Sequence, residues 1–217
     1  MRELLRERRR RKVEEPLQFY RSLPHQAKFH ASPKRERAII GANRSGKSEA
    51  NTVQCVRRAR GEDPHRPDFP VPNIGWVTSV SKEAQREILQ PKFERYLGRP
   101  GKDYTIRNRR AGIWDQILFA NRSVIGMKSL EMERKVFQGA GIHWAAFDEE
   151  PDQDIFEEVT ARLIDYQGDL WITMTPILGM TWTYDRWVDP DTRMKDSEVF
   201  SATMWDNAVS RGGYLQD

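Results

Sequence analysis

Apolar residues recur along this chain in short unbroken runs, separated by longer amphipathic stretches. The runs at 37–40, 73–78, 143–147, 169–175 and 197–204 read as strands. Runs of this kind, without polar alternation, suit strands covered on both faces. Three helical patterns lie between them. The first, 47–60, stops at Gly61. The second, 81–97, opens on Ser81 as N-cap and closes at Gly98 and Pro100. The third, 152–165, places Phe156, Val159 and Leu163 on one face. Strand, loop and helix in repetition predict an α/β fold with a mostly parallel sheet. Residues 62–72, with Pro64, Pro67, Pro70 and Pro72, must be a loop. Runs 113–119 and 123–127, split by Ala120-Asn121-Arg122, predict a β-hairpin. Residues 131–141 read as a short helix entering a glycine turn, 179–187 as a connector and 206–217 as turn-like.

The first strand leads into Gly41-Ala42-Asn43-Arg44-Ser45-Gly46-Lys47-Ser48, which fits G-x-x-x-x-G-K-[ST]. That pattern is a phosphate-binding loop. Glycines permit its backbone shape, its N–H groups form a nest for phosphate oxygens, and the following helix, with Glu49 in its first turn, adds a positive N-terminal end. Lys47 is then expected at the β- and γ-phosphates, and the Ser48 hydroxyl on Mg²⁺. About a hundred residues on, the run 143–147 ends in Asp148-Glu149-Glu150. An acid at the tip of a strand beside a phosphate loop holds Mg²⁺, mostly through water. Asp148 takes that role, Glu149 is placed to deprotonate the attacking water, and Glu150 is the second candidate. Thr173 and Thr175, polar groups ending the next strand, are placed to sense the γ-phosphate. Upstream, Gln26 carries an amide that matches the N6 and N7 edge of adenine, with Phe19 or Tyr20 to pack near the base.

Composition narrows this little. The 217 residues hold 36 Lys and Arg against 32 Asp and Glu, a net +4. That balance is compatible with nucleic acid without requiring it. Six arginines and Lys12 crowd the first twelve positions, a basic arm (1–16) able to touch phosphates or to stand as a solvated tail or helix. Arg107, Arg109, Arg110 and Arg122 make the hairpin basic, so it suits either DNA contact or an exposed edge. The single cysteine, Cys55, excludes an internal disulfide and a cysteine zinc site. No apolar run reaches membrane-spanning length, and no signal-peptide core opens the chain, which points to a cytoplasmic setting.

Three segments in order, G-A-N-R-S-G-K-S, F-Q-G-A-G-I-H-W-A-A-F-D-E-E-P and R-L-I-D-Y-Q-G-D-L-W-I-T-M-T-P-I-L-G-M-T-W, resemble the large terminase subunit of tailed bacteriophages, in its N-terminal packaging ATPase domain. The resemblance covers about residues 17–215. It implies a three-layer RecA-like P-loop ATPase of the additional-strand, conserved-glutamate type. It implies hydrolysis of ATP with Mg²⁺ to drive double-stranded DNA into a procapsid in the host cytoplasm. The implied partners are the portal protein and the small terminase subunit, within a ring of about five copies, each a monomer in isolation. Arg44 then contacts the γ-phosphate, Asn43, Ser45 and Gly46 complete the loop, and 173–176 is the coupling motif. Gln26 falls at the adenine-reading position. Where several relatives carry Arg-Gly, this chain has Gln138-Gly139. An arginine acting across the subunit boundary must therefore come from elsewhere. Arg162 is the expected donor and Arg134 the alternative, although Arg162 also suits an ion pair with Glu158 one turn away. The length leaves no room for the family's RNase H-like nuclease, so an isolated ATPase domain without DNA cleavage is expected. The competing readings are a helicase-like or remodelling ATPase, a nucleotide kinase and a nucleotide-gated binding module.

Overall fold

A computed structural model describes residues 1–211 apart from Arg109, Ala140 and Leu178. Arg109, the side chain of Arg110 and the tail 212–217 therefore lie outside the described residues. In chain order the elements are α1 (Arg2–Glu14), a 3₁₀ turn (Pro16–Phe19), α2 (Pro24–Ala31), β1 (Glu36–Gly41), α3 (Lys47–Arg60), β2 (Ile74–Ser79) and α4 (Lys82–Ala84). A π-helical turn (Gln85–Leu89), α5 (Gln90–Glu94), β3 (Tyr104–Asn108), β4 (Trp114–Phe119), β5 (Val124–Ser129) and a 3₁₀ turn (Arg134–Phe137) follow. The chain then forms β6 (Trp144–Asp148), α6 (Gln153–Arg162), β7 (Asp169–Met174), a π-helical turn (Tyr184–Val188), β8 (Ser197–Ala202) and α7 (Met204–Arg211).

One sheet of eight strands runs in the order β3-β4-β5-β2-β6-β7-β1-β8. From β5 to β8 all neighbours are parallel, and β4 pairs antiparallel with both β3 and β5. The parallel order puts the C-terminal ends of β1, β6 and β7 along one edge, where α/β sheets bind ligands. β7 lies between the phosphate-loop strand β1 and the acidic strand β6, the additional strand that the fold class requires. α3, α5 and the aromatics Tyr20 and Phe29 cover one face, with Val53, Val56 and Phe93 fully buried against Ile39, Val77 and Ile125. The opposite face is covered by α6 and the Tyr184–Val188 turn, through Phe156, Val159 and Trp187 on Phe147 and Ile172. Burying each such side chain contributes about 1.5–3 kcal/mol. Trp144 and Trp171 stack across β6 and β7, with ring centroids 5.3 Å apart. A β-carbon on Gly75 would stand 1.9 Å from the Trp144 ring, so the neighbouring strand must carry glycine there.

Several predicted boundaries shift. Helix 81–97 is three pieces: Ser81 caps it by accepting from Ala84 N, but Pro91 has no N–H to offer, and a π-helical turn precedes it. The hairpin gains an outer strand, β3, and its turn places Arg122 at φ 71°, with Arg122 N–H donating to Phe119 O. The helix expected over 131–141 shrinks to the Arg134–Phe137 turn, and that over 152–165 ends at Arg162. Residues 204–211 are helical, in place of the strand expected to run to 204 and the turn-like stretch expected from 206. Thr203 and Asp206 cap that helix reciprocally, at 3.3 Å from Asp206 N to Thr203 Oγ1 and 2.7 Å from Thr203 N to Asp206 Oδ2. The basic arm is largely the exposed helix α1. Cys55 is fully buried, and its burial pushes the thiol pKa well up. Among the described residues no helix is long and apolar enough to cross a membrane.

At the sheet edge away from the phosphate loop, Asp169 opens β7 as a buried anion. It pairs with Arg58 and lies 3.5 Å from Arg37, while Asp63 lies 3.3 Å from Arg58. Both arginines are fully buried, and burial draws their pKa values down, that of Arg37 to about 10. Stacking of Arg58 on Phe69 (4.3 Å) and of Arg37 on Phe29 (5.1 Å) supplies part of the lost solvation.

Candidate active site

The loop between β1 and α3 folds as its glycines demand, though for two different reasons. Gly46 sits at φ 88°, the left-handed region that favours glycine. Gly41 is needed for space, because a β-carbon there would fall 1.9 Å from the Ala202 carbonyl oxygen at the end of β8. Ala42 N donates to that same oxygen at 2.9 Å, which seals the loop to β8. Arg44 also takes a left-handed conformation, φ 63°, and its carbonyl accepts from the Asn207 amide of α7 at 2.8 Å. Ser45 is buried, and its hydroxyl makes no hydrogen bond among the described residues.

Gln26 lies beneath this loop. It is 1% exposed, and its Nε2 donates to Gly46 O at 2.8 Å. Its Oε1 accepts from Leu23 N (2.8 Å) and from the Tyr20 hydroxyl (2.9 Å). The carboxamide expected to face a base is thus directed at the loop backbone. Phe19 lies apart, in a cleft of about 620 Å³ between α1 and the turn after α5, and Tyr20 belongs to the core. Tyr20 continues inward to His30 (3.1 Å), which meets Gln54 at 2.6 Å. Burial holds the His30 pKa at about 3, so that ring is neutral at physiological pH.

Lys47, Asp148, Glu149 and Thr175 converge on the loop. The Lys47 ammonium donates to Gly41 O (2.9 Å), Ala42 O (2.8 Å) and Thr175 Oγ1 (3.1 Å). Thr175 Oγ1 in turn donates to Asn43 Oδ1 at 3.0 Å. Asp148 is buried and accepts from Thr173 Oγ1 at 3.0 Å, with Ser48 beside the same carboxylate. Glu149 stands at φ 84°, a left-handed backbone that a non-glycine residue holds only when its surroundings insist. Its N–H donates to Thr173 O (2.8 Å), and its Oε2 accepts from Thr175 N (2.8 Å). Glu150 turns elsewhere, and its Oε1 accepts from Thr183 Oγ1 at 3.0 Å and from Thr181 Oγ1. Glu49 in the first turn of α3 accepts from the Tyr96 hydroxyl.

Electrostatics at this edge are set by burial. Burial raises the pKa of Asp148, opposed first by Lys92, and that of Glu149, opposed by the Thr175 N–H. Burial lowers the pKa of Lys47, against the pull of Glu149 and Asp148. Lys92 of α5 behaves likewise, drawn by Asp148, Glu49 and Glu149. The sequence reading missed Lys92, which lies in a helix with no motif, and Asn207, whose helix was misread. The signal for that helix was Thr203-x-x-Asp206, a capping pattern.

The two arginines considered for action across a subunit boundary share one anion. Glu158, 7% exposed, lies 2.9 Å from Arg162 Nη2 and 3.1 Å from both Arg134 Nε and Nη2. Arg162 Nη1 also donates to Gly139 O at 3.0 Å. Because α6 runs back from the tip of β6, Arg162 ends at the sheet edge opposite Lys47, beside the start of β6, where Ile142 N bonds Arg162 O (2.8 Å). Within one chain it is remote from its own phosphate loop. Gln138, where the family resemblance leads to the expectation of an arginine, is an exposed residue after the Arg134–Phe137 turn.

Sheet order, the additional strand and the edge carrying the loop define a RecA-like α/β ATPase fold. A family model described as "Terminase large subunit, T4likevirus-type, N-terminal" matches residues 38–203, and the chain belongs to that family. The ATPase domain of the Thermus phage P74-26 large terminase has a TM-score of 0.65 at 20% identity, over 93% of this chain and 92% of that one. A single-arginine-to-alanine mutant of that domain gives the same score and identity over 91% and 87%. The large terminase of a thermophilic bacteriophage, in complex with ADP, has a TM-score of 0.58 at 18% identity; 87% of this chain aligns with 47% of that one. At these identities the likeness establishes the fold. No curated protein sequence matches the chain.

Proposed function

We propose that this chain is the ATP-hydrolysing motor domain of a phage terminase, using ATP and Mg²⁺ to translocate double-stranded DNA into a procapsid. The observation that carries the reading is the convergence of Lys47, Asp148, Glu149 and Thr175 at the mouth of the Gly41–Ser48 loop. A triphosphate entering there offers oxygens to Lys47 in place of the Gly41 and Ala42 carbonyls, and the loop N–H groups and Arg44 take the rest. Gln26 supports the loop that binds those phosphates.

The donor set fits Mg²⁺. Asp148 and Ser48 supply hard oxygens, and among the described residues no cluster of three or more His, Cys, Asp or Glu forms a cage. Mg²⁺ keeps water and substrate phosphates as its other ligands, so a sparse protein site suits it. Bound there, the ion neutralises charge on the phosphate oxygens. Glu149 takes the proton of the attacking water once its carboxylate exchanges the Thr175 N–H for that water. Its raised pKa makes it a better base than an exposed glutamate. A neighbouring copy in a ring of about five completes the site with an arginine. Arg134, half exposed and held by Glu158, is freer to leave than Arg162, which is held by both Glu158 and Gly139 O. Portal protein and small terminase subunit are the assembly partners in the host cytoplasm.

Phosphate release by the purified protein, with and without duplex DNA, tests the proposal. Turnover is expected to require Mg²⁺ and to vanish in Lys47→Ala and Glu149→Gln. Undiminished turnover in Glu149→Gln would overturn the assignment of the base. Transfer of phosphate to a small acceptor, with no release to water, would overturn the motor reading itself.

A further inference from the structure

Consecutive acids close the two ends of one segment. The segment from Thr175 to Thr183, of which Leu178 lies outside the described residues, leaves the tip of β7 and returns to the core as an arch whose residues 176, 177, 179 and 180 are exposed. At the near end Glu149 accepts from Thr175 N at 2.8 Å. At the far end Glu150 Oε1 accepts from the hydroxyls of both Thr181 and Thr183, which lie 2.8 Å from each other. Thr183 is 2% exposed and opens the Tyr184–Val188 turn, whose Trp187 is buried against Phe156. Arg186 fixes that turn again through a two-point contact with Glu36 at the start of β1, 2.7 and 3.0 Å. The far end is therefore built into the core. Between the ends, the arch carries Gly179 at φ 80° and presents Ile177 (77% exposed) and Met180 (81%) to solvent.

Glu149 and Glu150 are adjacent, so their carboxylates diverge and cannot share one task. We propose that Glu150 is a positioning residue, anchoring the far end of 175–183 so that the arch moves as a unit when Glu149 exchanges Thr175 N for water. The inference rests on the ATPase reading of this site. Without the anchor, release of Thr175 would dissipate in a loose loop. With it, the release displaces Ile177 and Met180, two exposed apolar side chains among the arch's described residues. A coupling residue of this kind changes the linked equilibrium by about twofold to thirtyfold.

The test uses the whole chain with Met180→Cys carrying an environment-sensitive thiol dye, which is site-specific because the single native cysteine, Cys55, is fully buried. A non-hydrolysable ATP analogue is expected to shift the dye emission. In Glu150→Ala that shift should fall at least about twofold, and kcat about twofold to thirtyfold, with KM for ATP within about twofold. Glu150→Gln keeps an acceptor oxygen for both threonines and should restore both readouts. The double variant Thr181→Val, Thr183→Val removes the same bonds from the other side and should repeat the loss, which guards against misfolding of Glu150→Ala. Retained analogue binding with a full emission shift in Glu150→Ala and in the double valine variant overturns the proposal alone. A labelled parent that binds no analogue overturns the ATPase reading beneath it.

Discussion

The side-chain amide of Gln26 holds the phosphate loop from below, donating through Nε2 to Gly46 O at 2.8 Å while its Oε1 accepts from Leu23 N and Tyr20. Three hydrogen bonds meet in one buried group, so its removal exposes unsatisfied partners. Gln26→Ala is expected to destabilise the protein by about 1–3 kcal/mol. Because the effect acts through the loop, affinity for ATP and GTP should weaken by the same factor. Thermal melts and parallel titrations with both nucleotides check this. Selective loss of ATP, with GTP affinity intact, would instead make Gln26 a reader of the base.

Glu149 and Asp148 illustrate a conflict between function and stability. Burial raises both pKa values above their ordinary positions. A carboxylate with a raised folded-state pKa contributes stability below its unfolded pKa, and that contribution disappears as pH rises through the folded value. At neutral pH the ionised pair therefore weakens the nucleotide-free protein. Glu149→Gln, which keeps an acceptor for Thr175 N, should melt higher than the parent at neutral pH. The gain should shrink as pH falls through the raised folded-state value and be gone below the ordinary glutamate pKa, 4.5. Differential scanning calorimetry across this range reads it directly.

Asp169 stands between two fully buried arginines. Replacing it with alanine leaves Arg37 and Arg58 short of a counter-charge and should cost about 3–5 kcal/mol. Urea unfolding with an unchanged m-value is the expected signature. The residue lies at the sheet edge away from Lys47, so kcat measured well below the melting temperature should hold.

Arg134 and Arg162 can be separated by mixing. A copy lacking the trans arginine keeps an intact phosphate loop, whereas a Lys47→Ala copy keeps the arginine. If Arg134 acts across the boundary, Arg134→Ala alone should lose about a thousandfold or more in kcat. Adding Lys47→Ala protein should restore part of that rate. Rescue of Arg162→Ala, with Arg134→Ala fully active, would assign the role to Arg162.

The phosphate loop, the acids at the tip of β6 and the boundaries of α3 were legible in sequence because each is a local pattern with a local cause. Gly61, for example, ends α3 at φ 69° and bonds back to Arg58 O, as glycine after a helix does. What escaped depends on distant partners. Gln26 offers the same amide to adenine or to a carbonyl, and only the approach of Gly46 decides between them. Glu150 resembles any acid after a strand until Thr181 and Thr183 arrive. β3 was missed although Tyr104-Thr105-Ile106-Arg107 alternates apolar and polar, because the run is short and its pairing with β4 at the sheet edge is not written in its own residues. Residues 206–211 read as a turn because the stretch is short, although its cap was present.

The placement of β1 has a consequence for the order of synthesis. Its ladder partners among the described residues are β7 and β8, which follow it by more than about 130 residues along the chain. A ribosome therefore delivers the phosphate-loop segment long before the strands that flank it, and Gly41 meets the Ala202 carbonyl only once the chain through β8 has emerged. The nucleotide site is among the last parts of this domain to assemble, and on the proposed function a nascent chain short of β8 is expected to hydrolyse no ATP.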